Sequence, residues 1–303
     1  MALENYRSPR QVLLGQDNNA LVLLFAANTL AFVGIHFIKI VYYLSDIPEA
    51  FFFRQILDWL TLSPQPSVFF YRPWTLFTHF FTHYSIWQLI STVLWLWAFG
   101  FILQDLAGNK KIIPLYLYGG LIGALVFLSA NHFVPALERN LGQVGPLMGG
   151  GAAVMCIAVA TTTLAPDYRI FPLLNGGIPL WVLTLLFAIF DFTSLSSVNA
   201  GIGAGHLAAG AFGFFFVKQL QKGRDWSAWM ISLVDTINGW FNPEKSAPAS
   251  KDKLFYRANR KPYEKITQVT QQKLDAILDK INQQGYSFLT DEEKAFLQKA
   301  SEE

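Results

Sequence analysis

The sequence predicts an all-α polytopic membrane protein: six transmembrane helices and a small cytoplasmic helical C-terminal tail. Three observations carry this. Of the 303 residues, 52% are hydrophobic and only 15% charged. The apolar residues gather into segments of roughly 20, the length that crosses the hydrocarbon core of a bilayer as a helix. Lys and Arg are concentrated in the short connections and after the last segment.

The spans are expected at 19–44, 75–99, 112–131, 147–165, 178–196 and 200–220. The first is too long and too weakly flanked for a cleaved signal peptide, so it counts as mature structure. An even number of spans puts both termini on one side. Arg7, Arg10, Lys110, Lys111 and Arg169 lie on that side against Arg54, Arg72 and Arg139 on the other, and Lys218, Lys222 and Arg224 follow the last span. This bias favours a cytoplasmic N-terminus and C-terminus. The expected organisation is an N-terminal segment 1–18, a membrane domain 19–222, an interfacial amphipathic helix 223–241, a linker 242–262 and a helical hairpin 263–303.

Three segments outside the spans have patterns of their own. In the first external loop, "AFFFRQILDWL" aligns Phe52, Phe53, Ile56, Leu57 and Leu60 on one face, as an interfacial helix would. After the sixth span, Trp226, Trp229, Met230, Leu233, Val234, Ile237, Trp240 and Phe241 recur at helical spacing, and tryptophans suit the headgroup boundary. Residues 242–262 are rich in Pro, Ser, Lys and Arg and read as a solvated linker. In the tail, Leu274, Ile277, Leu278 and Ile281 form a stripe, Gly285 offers a stop, and "TDEE" from Thr290 is a capping box for a last helix.

Polar residues within spans are costly in hydrocarbon and turn inward. The second span supplies His79, His83, Gln88 and Thr92, with Gln88 and Thr92 on one helical face and the two histidines one or two turns away. The sixth supplies His206, flanked by the small-residue row Gly205, Ala209 and Gly213. That row is expected to meet the equally bare stretch Gly149 to Ala153 on the fourth span. Cys156, the only cysteine, excludes a disulfide framework and reads as a small buried hydrophobe. Asp105 and Asp191, at span ends, read as solvated or capping residues. No carboxylate joins His79 and His83, so no metal is expected there. A net charge of +2 points to no nucleic-acid partner.

Several separated motifs, in order across about residues 68–220, resemble the rhomboid intramembrane serine proteases. "YRPWTLFTHFFTHYSIWQLISTVLWLWAFG" is similar to that family's second span and its entry, "FGFILQDLAGNKK" to the following turn, "MGGGAAVM" to the nucleophile motif G-x-S-G or G-x-S-A of the fourth span, and "GHLAAGAFGF" to the sixth-span histidine segment. The resemblance implies a serine nucleophile on the fourth span, a sixth-span histidine as general base, and an oxyanion hole from a histidine and an asparagine of the second span. Carried over, these roles fall on Gly151, His206, Gln88 and Thr92. Glycine has no nucleophilic atom. Cys156 lies about 7.5 Å deeper and about 140° around the helix, so it is no substitute.

The leading expectation is a pseudoprotease that binds transmembrane segments of client membrane proteins without cleaving them. An active intramembrane serine endopeptidase is the alternative and a transporter the third reading, the last disfavoured because no internal repeat is evident. With its nucleophile absent, His206 reads first as an interior histidine hydrogen-bonded to span two or four. No cofactor is expected, and the partners are the lipid bilayer and client helices. The resemblance places the chain in a bacterial cytoplasmic membrane.

Overall fold

The computed structural model describes residues 19–170, 177–193, 195, 197–232, 236, 276–282 and 285–302, which fall into two compact units, one up to Thr236 and one from Ile237 onward. The N-terminal segment 1–18 and the linker 242–262 lie outside the described residues, as does much of the expected helix 223–241.

Two of the long helices in the first unit, α1 (Ala20–Leu44) and the one that starts at Ile86, open at a side-chain cap. α1 opens at Asn19, whose side-chain oxygen accepts the Leu21 N–H at 3.0 Å. α2 (Glu49–Gln55) turns Phe52, and Leu57 just beyond it, into a small core with Ile35, Ile38, Tyr42 and Tyr84. The face expected to lie in the headgroups therefore packs on α1. At the edge of this core the Lys39 ammonium bonds Glu49 at 2.8 Å and the Tyr84 hydroxyl at 2.9 Å.

The expected span 75–99 is not one helix. After the short helices α3 (Pro66–Tyr71) and α4 (Thr75–Thr78) comes a 3-10 turn, His79–Phe81. Thr82 is then extended and Ser85 caps a new helix, α5 (Ile86–Ala107). His79 and His83 thus precede the helix that carries Gln88 and Thr92. α6 (Ile112–Phe133) and α7 (Pro135–Glu138) follow. α8 (Gly151–Leu164) begins four residues later than the pattern suggests, because Leu147 exchanges two backbone hydrogen bonds with Leu62 and Gly149 sits at φ +93°, outside helical space. Strands β1 (Arg169–Ile170) and β2 (Ile178–Pro179) pair antiparallel, leading into α9 (Leu180–Thr193) and α10 (Ala200–Gln221).

Four of these helices are long and apolar enough to cross a membrane: α1, α5, the helix ending at Phe133, and α10. α8 and α9 have 14 residues each, about 21 Å, shorter than the roughly 30 Å of hydrocarbon. α8 is the centre of the bundle. Every residue from Ala152 to Ala158 is buried, and α5, α6 and α10 surround it. Small residues let these backbones approach: a Cβ on Gly119 of α6 would stand 2.5 Å from the Cys156 Cβ, and one on Gly213 of α10 would collide with the Cys156 carbonyl. Gly205 meets the Gly123 carbonyl of α6 instead, so only part of the expected α10 row faces α8. α9 buries only Leu180 and Phe187, the latter against Trp95 and Phe99.

Past α10, Lys111 forms an ion pair with Asp225 and donates to the Ser227 hydroxyl at 2.9 Å. Tyr118 donates to the Trp226 carbonyl and accepts from the Trp229 indole. Trp229 stays 58% exposed. In the second unit, residues 276–282 are helical and α11 (Asp291–Glu302) follows. The Glu293 carboxylate accepts the Thr290 N–H at 2.9 Å, and the Thr290 hydroxyl accepts the Glu293 N–H at 3.4 Å, completing the capping box. Ile277 and Leu289 are buried, and Lys280 bonds Glu293 at 2.9 Å. Leu274 lies outside the described residues.

Candidate functional site

The segment entering α8 is pinned from three directions. Leu62 holds Leu147, the His79 carbonyl accepts the Gly149 N–H at 2.8 Å, and the Gln88 amide donates to the Met148 carbonyl at 3.0 Å. Each of the three glycines then meets a different neighbour. A Cβ on Gly149 would lie 2.5 Å from Gln88 Nε2, one on Gly150 2.7 Å from the Tyr116 hydroxyl and 2.9 Å from the Thr92 methyl, and one on Gly151 2.6 Å from Cε1 and 3.0 Å from Nε2 of His206. The expectation that the sixth span's small-residue row covers these glycines is therefore corrected. Polar and aromatic side chains cover them, and the bare backbone is what admits those side chains.

The structure brings Gly151, His206, Gln88 and Thr92 to one place, at the head of α8. The hydrogen bonds there assign the protons. A carboxylate only accepts, so His206 Nδ1–H donates to Asp191 Oδ2 at 2.6 Å, which turns Nε2 toward Gly151. His83 donates Nδ1–H to the Phe81 carbonyl at 3.2 Å, leaving Nε2 to accept the Thr92 hydroxyl at 3.1 Å. That bond uses the single proton of Thr92, whose methyl faces Gly150. His79 donates to the Thr75 carbonyl at 2.8 Å. Among the described residues no group of three or more His, Cys, Asp and Glu side chains could hold a metal ion.

Asp191 is the residue the sequence reading misplaced. Its side chain is 12% exposed and that of His206 9%, so it is neither solvated nor a cap. His206 takes its partner from α9, not from the second or fourth span. The available signal was an acid within an apolar helix, costly there unless paired.

A family model described as the rhomboid domain matches residues 71–226, slightly over half of the chain and including Gln88, Thr92, Gly151, Asp191 and His206. The chain belongs to the rhomboid family. Among its curated relatives are the mitochondrial presenilin-associated rhomboid-like protein of Homo sapiens, 23% identical over 171 residues, covering 54% of this chain and 41% of that protein. RHOMBOID-like protein 12, mitochondrial, of Arabidopsis thaliana is 26% identical over 159 residues, covering 50% and 47%. Rhomboid protease GlpG of Salmonella paratyphi A is 24% identical over 173 residues, covering 56% and 57%. The chain thus spans about half the length of the curated relatives it matches. A second model, a family of unknown function (DUF6576), matches residues 263–303. The rhomboid match and the apolar helices together make this an integral membrane protein.

Proposed function

We propose that this rhomboid-family protein is a pseudoprotease that binds transmembrane segments of other membrane proteins without cleaving them. The observation that carries the reading is Gly151: the position facing the Nε2 of His206 bears no side chain. The neighbours agree with it. Thr92 has spent its single proton on His83, and one of the two Gln88 amide protons is held by the Met148 carbonyl, so the candidate oxyanion donors are reduced. The lightly packed α9 favours client helices as the ligand class, met within the bilayer, with both termini on the cytoplasmic side of a bacterial cytoplasmic membrane.

Purified protein treated with a fluorophosphonate probe should remain unlabelled, while a photo-reactive residue replacing Phe190, exposed on α9, should capture uncleaved membrane proteins and one replacing Phe37 on α1 should not. A second reading, active intramembrane proteolysis, draws on the aspartate-oriented base. Probe labelling of the wild type, lost on His206→Ala, would establish that reading and overturn ours.

A further inference from the structure

Asp191 lies in the last turn of α9, where the helix macrodipole disfavours a carboxylate, and it is largely removed from water. Both costs need an offset, and the charge-assisted bond to His206 supplies it. Independent packing brings the partners together: Gly203, one turn before His206, gives room on α10 for Phe192 and Leu195 at the end of α9. The imidazole held in this way stands where a side chain on residue 151 would go, since even a methyl group there would lie 2.6 Å from Cε1, closer than real Cβ contacts allow.

We infer that Asp191 is a positioning residue that draws the His206 ring over Gly151, so that the aspartate and the glycine are a coupled pair. With the carboxylate in place, any side chain at position 151 is crowded by the ring. Without it, the ring is free to retreat and a larger residue fits. The same bond keeps the proton on Nδ1 and the lone pair on Nε2. The bare position is thus a requirement of the clasp linking α8, α9 and α10, in addition to being the absence of a nucleophile. The inference goes beyond client binding and does not depend on it.

The test is a double-mutant cycle on the full-length protein in detergent, using Gly151→Ala, which adds volume and no chemistry, and Asp191→Ala. Gly151→Ala should lower Tm in the wild type and lower it roughly half as much or less in the Asp191→Ala background. Equal losses in both backgrounds would overturn the coupling. A second readout needs no change at 151: nitrogen chemical shifts of labelled histidines, with His206 assigned by its loss in His206→Gln. The Nδ1–H tautomer of His206 should dominate in the wild type, give way to a mixture in Asp191→Ala, and be restored in Asp191→Asn if the amide oxygen accepts the same proton. A tautomer indifferent to Asp191→Ala would overturn the positioning role. Client capture at Phe190 is a separate measurement, so failure of either proposal is distinguishable from failure of the other.

Discussion

At the scale of single residues, restoring Gly151→Ser supplies the hydroxyl but not the site. The new Cβ meets the His206 ring, and no free donor waits in Thr92. A side-chain oxyanion donor is worth about 2.7–4 kcal/mol where measured, so fluorophosphonate labelling of Gly151→Ser should be weak and should disappear on adding His206→Ala. Adding Gln88→His and Thr92→Asn should raise it by more than the two changes acting independently, because catalytic groups that work as a unit are non-additive. A folded triple variant that labels no better than the wild type would mean that the cleft differs in backbone and not only in side chains. Gly151, His206, Gln88 and Thr92 could be singled out as candidates in the sequence, since each sits within a motif of local spacing, and the fold gathers them at the head of α8. Asp191 was not, because its role exists only through a partner 15 residues away on another helix.

At the scale of elements, the order of cost among glycine substitutions follows from what each Cβ would touch. Gly213→Ala pushes against backbone, the Cys156 carbonyl, which has nowhere to go, whereas Gly210→Ala meets the movable side chains of Val159 and Met155 at 3.2 and 3.3 Å. Overpacking costs about 1–3 kcal/mol, so Gly213→Ala should lower Tm clearly and Gly210→Ala less. Gly34→Ala has nothing within 4 Å and exchanges a poor helix former for the best one, so it should be neutral or stabilising. Thermal unfolding that ranks the three otherwise would contradict the α6–α8–α10 packing described here. The break in the expected second span belongs to this scale too. Nothing in the hydropathy of "TLFTHFFTHYSIWQL" marks Ser85 as a cap, and the His83–Thr92 bond that closes the loop back onto α5 is a tertiary contact.

At the scale of the whole molecule, the first unit carries the apolar helices that suit a bilayer, and the second carries a charged capping network of its own. In the second unit, the Thr290 N–H, and after it Lys280, hold the Glu293 carboxyl below its ordinary value. A depressed folded-state pKa means that the contribution is fully present above the ordinary glutamate range and is lost as pH falls through the folded value. The start of α11 should therefore be firm at about pH 6 and frayed at about pH 3, read from chemical shifts of residues 291–294 in the full-length protein, and Glu293→Gln should weaken this dependence. An unchanged profile in that variant would remove Glu293 from the account.

Helical character, the approximate position of every apolar segment, membership of the rhomboid family and the bare position 151 were determined by the sequence alone. Hydropathy and segment length are properties of consecutive residues, and the family's motifs are short and separately recognisable. Only the tertiary structure decided which face of each segment turns inward. The Phe52 face of α2 illustrates this: its period is the same whether it meets lipid or α1, and only the shared core with Ile35, Ile38 and Tyr42 shows that it meets α1. The same holds for the three glycines at the head of α8. Small residues announce a close approach without naming what approaches, because a missing side chain constrains distance and carries no chemistry of its own. The crossing of α5, α9 and α10 around α8 supplied Gln88, Thr92 and an aspartate-held His206.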